Sequence, residues 1–220
     1  MSKSRKNPSL IAAYIGAAAT LFSAAVAIMP KPSCERPKET SVMVDAKDPN
    51  NWTPLYRAAR SNNETAVQRL LAQGADPNAA DSHGWTPIFH AARFGNSEMT
   101  RALLSKGAAV DIQSDMKETP LHLAAANGDL DTIRALAVGK DGSPIVNVNV
   151  EDSHADRPLH YAARKGRAEA VKLLIGLGAE DSKDDQGHTA MDLASNNDVK
   201  DELRKILPKK GRGNPLKIRL

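Results

Sequence analysis

The side chains with the means for chemistry are six histidines, one cysteine and a scatter of serines and carboxylates in a 220-residue chain. Structural or catalytic zinc asks for three or four ligands, usually including a pair spaced to share one helix face or one knuckle. His83, His90, His122, His154, His160 and His188 contain no such pair. Cys34 is alone and has no partner for an internal disulfide. Neither a serine elbow nor a glycine-rich phosphate loop is present. The sequence therefore assigns no catalytic residue, no cofactor and no metal ligand, and points away from an enzyme.

What the histidines share is a frame. Glu118-Thr119-Pro120-Leu121-His122-Leu123-Ala124-Ala125 has relatives at Trp52-Thr53-Pro54-Leu55-Tyr56-Arg57-Ala58-Ala59, Trp85-Thr86-Pro87-Ile88-Phe89-His90-Ala91-Ala92 and Asp156-Arg157-Pro158-Leu159-His160-Tyr161-Ala162-Ala163. A weaker one runs over His188-Thr189-Ala190-Met191-Asp192-Leu193-Ala194. The anchors at 54, 87, 120, 158 and 190 are spaced by 33, 33, 38 and 32 residues. A period in this range marks a stacked array, in which each unit buries its apolar face against its neighbours.

Each unit has the same plan. Thr-Pro opens a helix, threonine capping free amides and proline filling the first turn where its missing N–H costs nothing. The Ala-Ala pair lets the next layer come close. A second helix ends in an apolar pair (Leu70-Leu71, Leu103-Leu104, Leu174-Ile175, Ile206-Leu207), and in three units glycine follows, at Gly74, Gly107 and Gly178. Asp/Asn-rich turns lead to the next anchor. The spacing predicts helix pairs at 54–61 with 64–73, 87–94 with 97–106, 120–127 with 130–138, 158–165 with 168–177, and 190–195 with 198–207. The third unit lacks its closing glycine and carries five extra residues within 139–146. The fifth replaces proline by Ala190 and histidine by Asp192 and reads as a polar cap.

Through these copies the chain resembles the ankyrin repeat family from Asp45 to Leu207; Thr-Pro-Leu-His-x-Ala is that family's signature. The resemblance implies an all-α repeat solenoid, ankyrin helix pairs with short β-hairpin fingers, divided at about 48–80, 81–113, 114–151, 152–183 and 184–207. It implies that His122 and His160 are structural, and that the array binds other proteins through its finger tips and first helices rather than performing a reaction.

On that surface the finger position two before the anchor carries Trp52 and Trp85. The first helices add Arg57, Arg60, His90, Arg93, Phe94, Tyr161, Arg164 and Lys165. Trp and Arg are enriched at binding hot spots. An Arg-rich, aromatic row favours a protein partner with an acidic patch. The opposing account is an ordinary solvated face, with each tryptophan packed on the neighbouring finger.

The formal net charge is +4, but residues 1–44 carry +4 and residues 208–220 carry +5, so the array between them is −5. The basic balance belongs to the ends and is no sign of nucleic-acid binding. Residues 1–30 read as a targeting segment: Lys3, Arg5 and Lys6 precede an uncharged run over 10–29, with Ala25-Val26-Ala27 as a small-x-small cleavage site. Uncleaved, that run is long enough to anchor in a bacterial inner membrane with the N-terminus cytoplasmic. Either way the array is expected in the periplasm. Residues 31–44 form a Pro-rich linker and 208–220 a basic tail. The expectation is a monomeric, non-enzymatic binding module displayed in the envelope, in the manner of a toxin-immunity partner or an enzyme helper. The alternative is a membrane-tethered spacer whose basic tail meets an anionic surface.

Overall fold

A computed structural model of the chain describes residues 44–139, 142–143 and 145–206. The chain divides into two units, residues 1–38 and 39–220, and the described residues belong to the second. The expected targeting segment, residues 31–43 of the expected linker with Cys34, and the basic tail lie outside them; Val44, given to the linker, is instead buried in the core.

Ten helices follow in five pairs among the described residues: α1 (Pro54–Arg60) with α2 (Glu64–Ala72), α3 (Pro87–Phe94) with α4 (Ser97–Ser105), α5 (Pro120–Asn127) with α6 (Leu130–Ala137), α7 (Pro158–Arg164) with α8 (Ala168–Gly176), and α9 (Ala190–Leu193) with α10 (Asn197–Ile206). The odd-numbered helices pack side by side in chain order and the even-numbered ones form a second layer beside them. This is the expected repeat solenoid.

The reasons are local and repeat with the sequence. The first helices of the first four pairs start on proline. Four of the five second helices are capped by side chains that accept an amide of their first turn: Asn63 from Ala66, Asn96 from Met99, Asp129 from Thr132 and Asn196 from Val199; α8 starts after Arg167 without such a bond. The alanine pairs 58–59, 91–92, 124–125 and 162–163 are all buried. They allow odd-numbered helices to approach, while Leu71, Leu103, Leu136, Leu174 and Leu203 fill the space beside them. Each fully buried leucine contributes about 1.5–3 kcal/mol. Gly74, Gly107 and Gly178 stand at φ +90°, +85° and +94°, the left-handed backbone that ends a helix.

Three features differ from expectation. Threonine caps with its hydroxyl at Thr53, accepting from Tyr56 N–H, but the Thr86 hydroxyl is buried without a partner and that of Thr119 meets Nδ1 of His122. The last first-layer helix, α9, is a single turn, because Ala194 turns extended and Ser195 N–H reaches back to the Ala163 carbonyl. And among the described residues the fingers are turns, not paired β-strands. Each is closed on itself by one acceptor side chain, which takes the amides two and four residues on: Asp48, Asp81, Ser114, Asp152 and Asp184. One backbone bond then joins finger to finger (Asp115 N to His83 O, Ser153 N to Met116 O, Asp185 N to His154 O), too few for a ladder.

Candidate functional site

The finger turns and the first helices together shape a groove of about 630 Å³ beside the first three repeats. Trp52 and Trp85, at the roots of their fingers, are half-buried. Each stacks on the ring four residues later, the third residue of its own first helix: Trp52 on Tyr56 (centroids 5.6 Å, 28° between planes) and Trp85 on Phe89 (5.3 Å, 21°). Arg60 lies over Trp52, its guanidinium carbon 4.2 Å from the ring centre, a cation–π contact. Tyr56 donates to the Asp81 carboxylate at 2.6 Å. That bond closes one wall of the groove, and burial followed by this bond pushes the phenol's pKa upward.

At the floor is His90. It is 3% exposed, with Tyr56 edge-on (4.8 Å, 82°) and Trp85 tilted over it (5.4 Å, 55°). Neither Nδ1 nor Nε2 meets a hydrogen-bond partner, a deficit that costs on the order of 1–3 kcal/mol for a buried polar group. Burial, then the positive charges of Arg93 and Arg60, hold the ring neutral, with a pKa lowered to about 4. The charge of Asp81 pulls the other way and is the smallest of these effects.

The structure thus brings Trp52, Arg60, Trp85, His90 and Arg93 to one groove and leaves the other expected residues outside its lining. Arg57 is exposed and 3.9 Å from Asp48. Phe94 is 39% exposed beside the Arg93 guanidinium. Lys165 is exposed at the end of α7. Tyr161 is a structural clasp: its hydroxyl lies 2.9 Å from Glu118 and 2.8 Å from Asp152, so its single proton serves one carboxylate at a time. Arg164 is ion-paired with Asp156. Sequence reasoning missed Tyr56, Asp81, His83, Ser114, Asp115, Met116 and Glu118 in the lining. For Tyr56 a signal was present: a tyrosine stands where the signature has histidine, four residues after a tryptophan.

Among the described residues no three histidine, cysteine or acidic side chains gather to hold a metal ion, and no helix is long and apolar enough to cross a membrane. A second groove, about 370 Å³, lies at the last two fingers between His154, Asp156, Arg164 and His188. Its histidines already face carboxylates, His154 with Asp185 at 3.4 Å and His188 with Asp184 at 3.6 Å.

Compared with known families, residues 11–114, 66–149 and 121–214 each match the model described as ankyrin repeats, three copies.

Proposed function

The chain belongs to the ankyrin repeat family, whose arrays are generally protein–protein interaction modules, and from that premise we propose that it is a non-enzymatic docking protein whose partner binds the groove of the first three repeats. The observation that carries this is the composition of the groove: the chain's only two tryptophans and two arginines without a carboxylate partner among the described residues converge on one concavity. Elsewhere on the same face the arginines are already neutralised. Aromatic and arginine anchors in a preformed cleft are the composition of a binding hot spot, and a rigid solenoid loses little entropy on docking. The two unpaired guanidiniums favour a partner that offers them a carboxylate.

The uncharged run over 10–29 behind Lys3, Arg5 and Lys6 supports placing the array outside a bacterial cytoplasm, exported or tethered to the inner membrane. A toxin-immunity or enzyme-helper role fits that placement. The test is affinity capture from envelope extract with the full chain, beside Trp85→Ala and Arg93→Glu variants whose circular dichroism matches the parent. A protein retained by the parent and lost by both variants supports the reading. Equal retention by all three overturns the groove as the docking site.

A further inference from the structure

The repeats are internal comparisons of one another, and the fourth carries what the first two lack. At the finger position two before the anchor it has Asp156, and six after the anchor it has Arg164. Arg164 Nη2 donates to both carboxylate oxygens of Asp156, at 3.0 and 2.8 Å. In the first two repeats the arginine is kept, as Arg60 and Arg93, but the finger residue is Trp52 and Trp85. Among the described residues no carboxylate comes within ion-pair distance of either guanidinium. Of the three acids in the groove wall, Asp81, Asp115 and Glu118, Asp81 is committed to the Tyr56 hydroxyl and to the His83 and Trp85 amides, and Glu118 lies 2.9 Å from the Tyr161 hydroxyl. Beneath the vacant pair of charges lies His90, with two buried nitrogens and no partner.

We propose that the groove takes one carboxylate side chain of the partner, a glutamate or aspartate held by Arg60 and Arg93 as Asp156 holds Arg164, with His90 as its buried hydrogen-bond donor, so that docking takes up a proton. The inference rests on the groove being the docking site. An imidazole between two cations has every reason to stay neutral in the free protein. The incoming negative charge cancels theirs and supplies the acceptor the ring lacks, and both effects favour the imidazolium. Trp85 lies over the ring, so the carboxylate reaches His90 as Trp85 turns aside. The charged groups acting on His90 are Arg60 on α1, Arg93 on its own helix and Asp81 on the finger, with the Tyr56 phenol beside it; the second finger adds His83 to the same groove and the third adds Asp115 and Glu118, Glu118 lying 2.9 Å from the Tyr161 hydroxyl. From α5 the single ionisable group, His122, is engaged with the Thr119 amide and the Asp156 carbonyl. From α4 Glu98 and Arg101 pair with each other at the surface.

The only two tryptophans of the chain line the groove, so their fluorescence reports its occupancy. The full chain is titrated with the blocked peptide acetyl-(Glu-Leu)3-amide and with its glutamine counterpart, at several values between about pH 5 and 8. The expected result is quenching or a spectral shift by the glutamate peptide, at least tenfold tighter than by the glutamine peptide. The affinity falls as pH rises, by up to about tenfold per unit while the proton is being taken up. Arg93→Gln, on an exposed side chain, loses the preference for glutamate. His90→Phe keeps the preference but loses the pH dependence. Equal affinity for the two peptides, or no binding of either, overturns the carboxylate anchor. A preference for glutamate independent of pH in the parent overturns the role of His90. Either failure leaves the docking reading standing if Trp85→Ala still abolishes partner capture, and that reading falls separately if it does not.

Discussion

Nε2 of His122 stands 3.1 Å from the carbonyl oxygen of Asp156, while Nδ1 of the same ring accepts the Thr119 amide at 3.0 Å. Accepting at Nδ1 fixes the proton on Nε2 and the ring as neutral, a state that burial also favours by lowering its pKa. The imidazole therefore fastens the start of α5 to the finger of the next repeat. His160 does the same one repeat on, between the Arg157 amide and the Ser182 carbonyl, both at 2.9 Å.

His122→Ala removes both bonds, strands a buried amide and carbonyl and leaves a cavity, at a cost of about 2–4 kcal/mol. Stacked repeats share stability through nearest-neighbour interfaces. The lost protection against hydrogen exchange is thus expected first at the third and fourth repeats and last at α1 and α2. Urea unfolding with a midpoint unchanged from the parent would refute the clasp.

His90 contributes a pH dependence with a defined sign. Its folded value, lowered to about 4, lies below the roughly 6.5 of an unfolded histidine, so the unfolded chain takes up the proton first. Its effect on stability is nil above about pH 6.5 and destabilising as pH falls towards 4, by at most about 1.4 kcal/mol per unit. His122, lowered in the same direction, adds to the slope. His90→Phe is expected to unfold less steeply with acid over that window, as read by denaturant midpoints at successive pH values. Identical slopes in parent and variant would show that the ring gains a partner in solution.

Five finger turns place the residue three after the acceptor side chain in left-handed backbone: Asn51, Gly84, Lys117, Ala155 and Gly187, at φ +65°, +77°, +56°, +57° and +85°. Alanine has neither the freedom of glycine nor the local hydrogen bonding of asparagine to make this cheap. Ala155→Gly is expected to stabilise by about 0.5–1 kcal/mol. Gly84→Ala is expected to destabilise by at least about 1 kcal/mol, since its Cβ would also stand 3.3 Å from the Gln113 carbonyl and Ser114 Cα. Thermal melts of the two variants should move in opposite directions.

The array was legible because its determinants are local and repeated. Proline at the start of a helix, asparagine or aspartate at the cap of the next and glycine in the left-handed closing position each act within a few residues, and five copies average out the exceptions. The finger turns were legible as turns for the same reason, but strand pairing was not, because a ladder depends on how many bonds neighbouring fingers share. The groove was half legible. Trp52, Trp85, Arg60, Arg93 and His90 stand at matching repeat positions, which places them on one face. Whether an arginine on that face is free depends on the finger residue it meets, and this separates Arg93 from Arg164 although their positions in the repeat are the same. Tyr56 and Asp81 joined the lining through a contact across 25 residues, which no spacing announces.

That last contrast yields the most direct test of the groove. Trp85→Asp gives the second repeat the finger residue of the fourth, and the introduced carboxylate is expected to pair with Arg93 as Asp156 pairs with Arg164. The exchange loses the Trp85–Phe89 stack, worth about 0.5–1.5 kcal/mol, and gains an ion pair worth about 0.2–1 kcal/mol. Together with the apolar area Trp85 gives up, this makes a modest net destabilisation, so the array should remain folded at room temperature. Binding should respond out of proportion, because the internal acid occupies the place meant for the partner's and repels it. Trp85→Ala, which vacates the wall without filling the charge, should weaken capture less than Trp85→Asp. Affinities measured at two salt concentrations separate the causes: the gap between the two variants narrows at high salt if it is electrostatic. A Trp85→Asp variant that binds as tightly as Trp85→Ala would mean that Arg93 contributes nothing a carboxylate can block, and that the aromatic walls alone hold the partner.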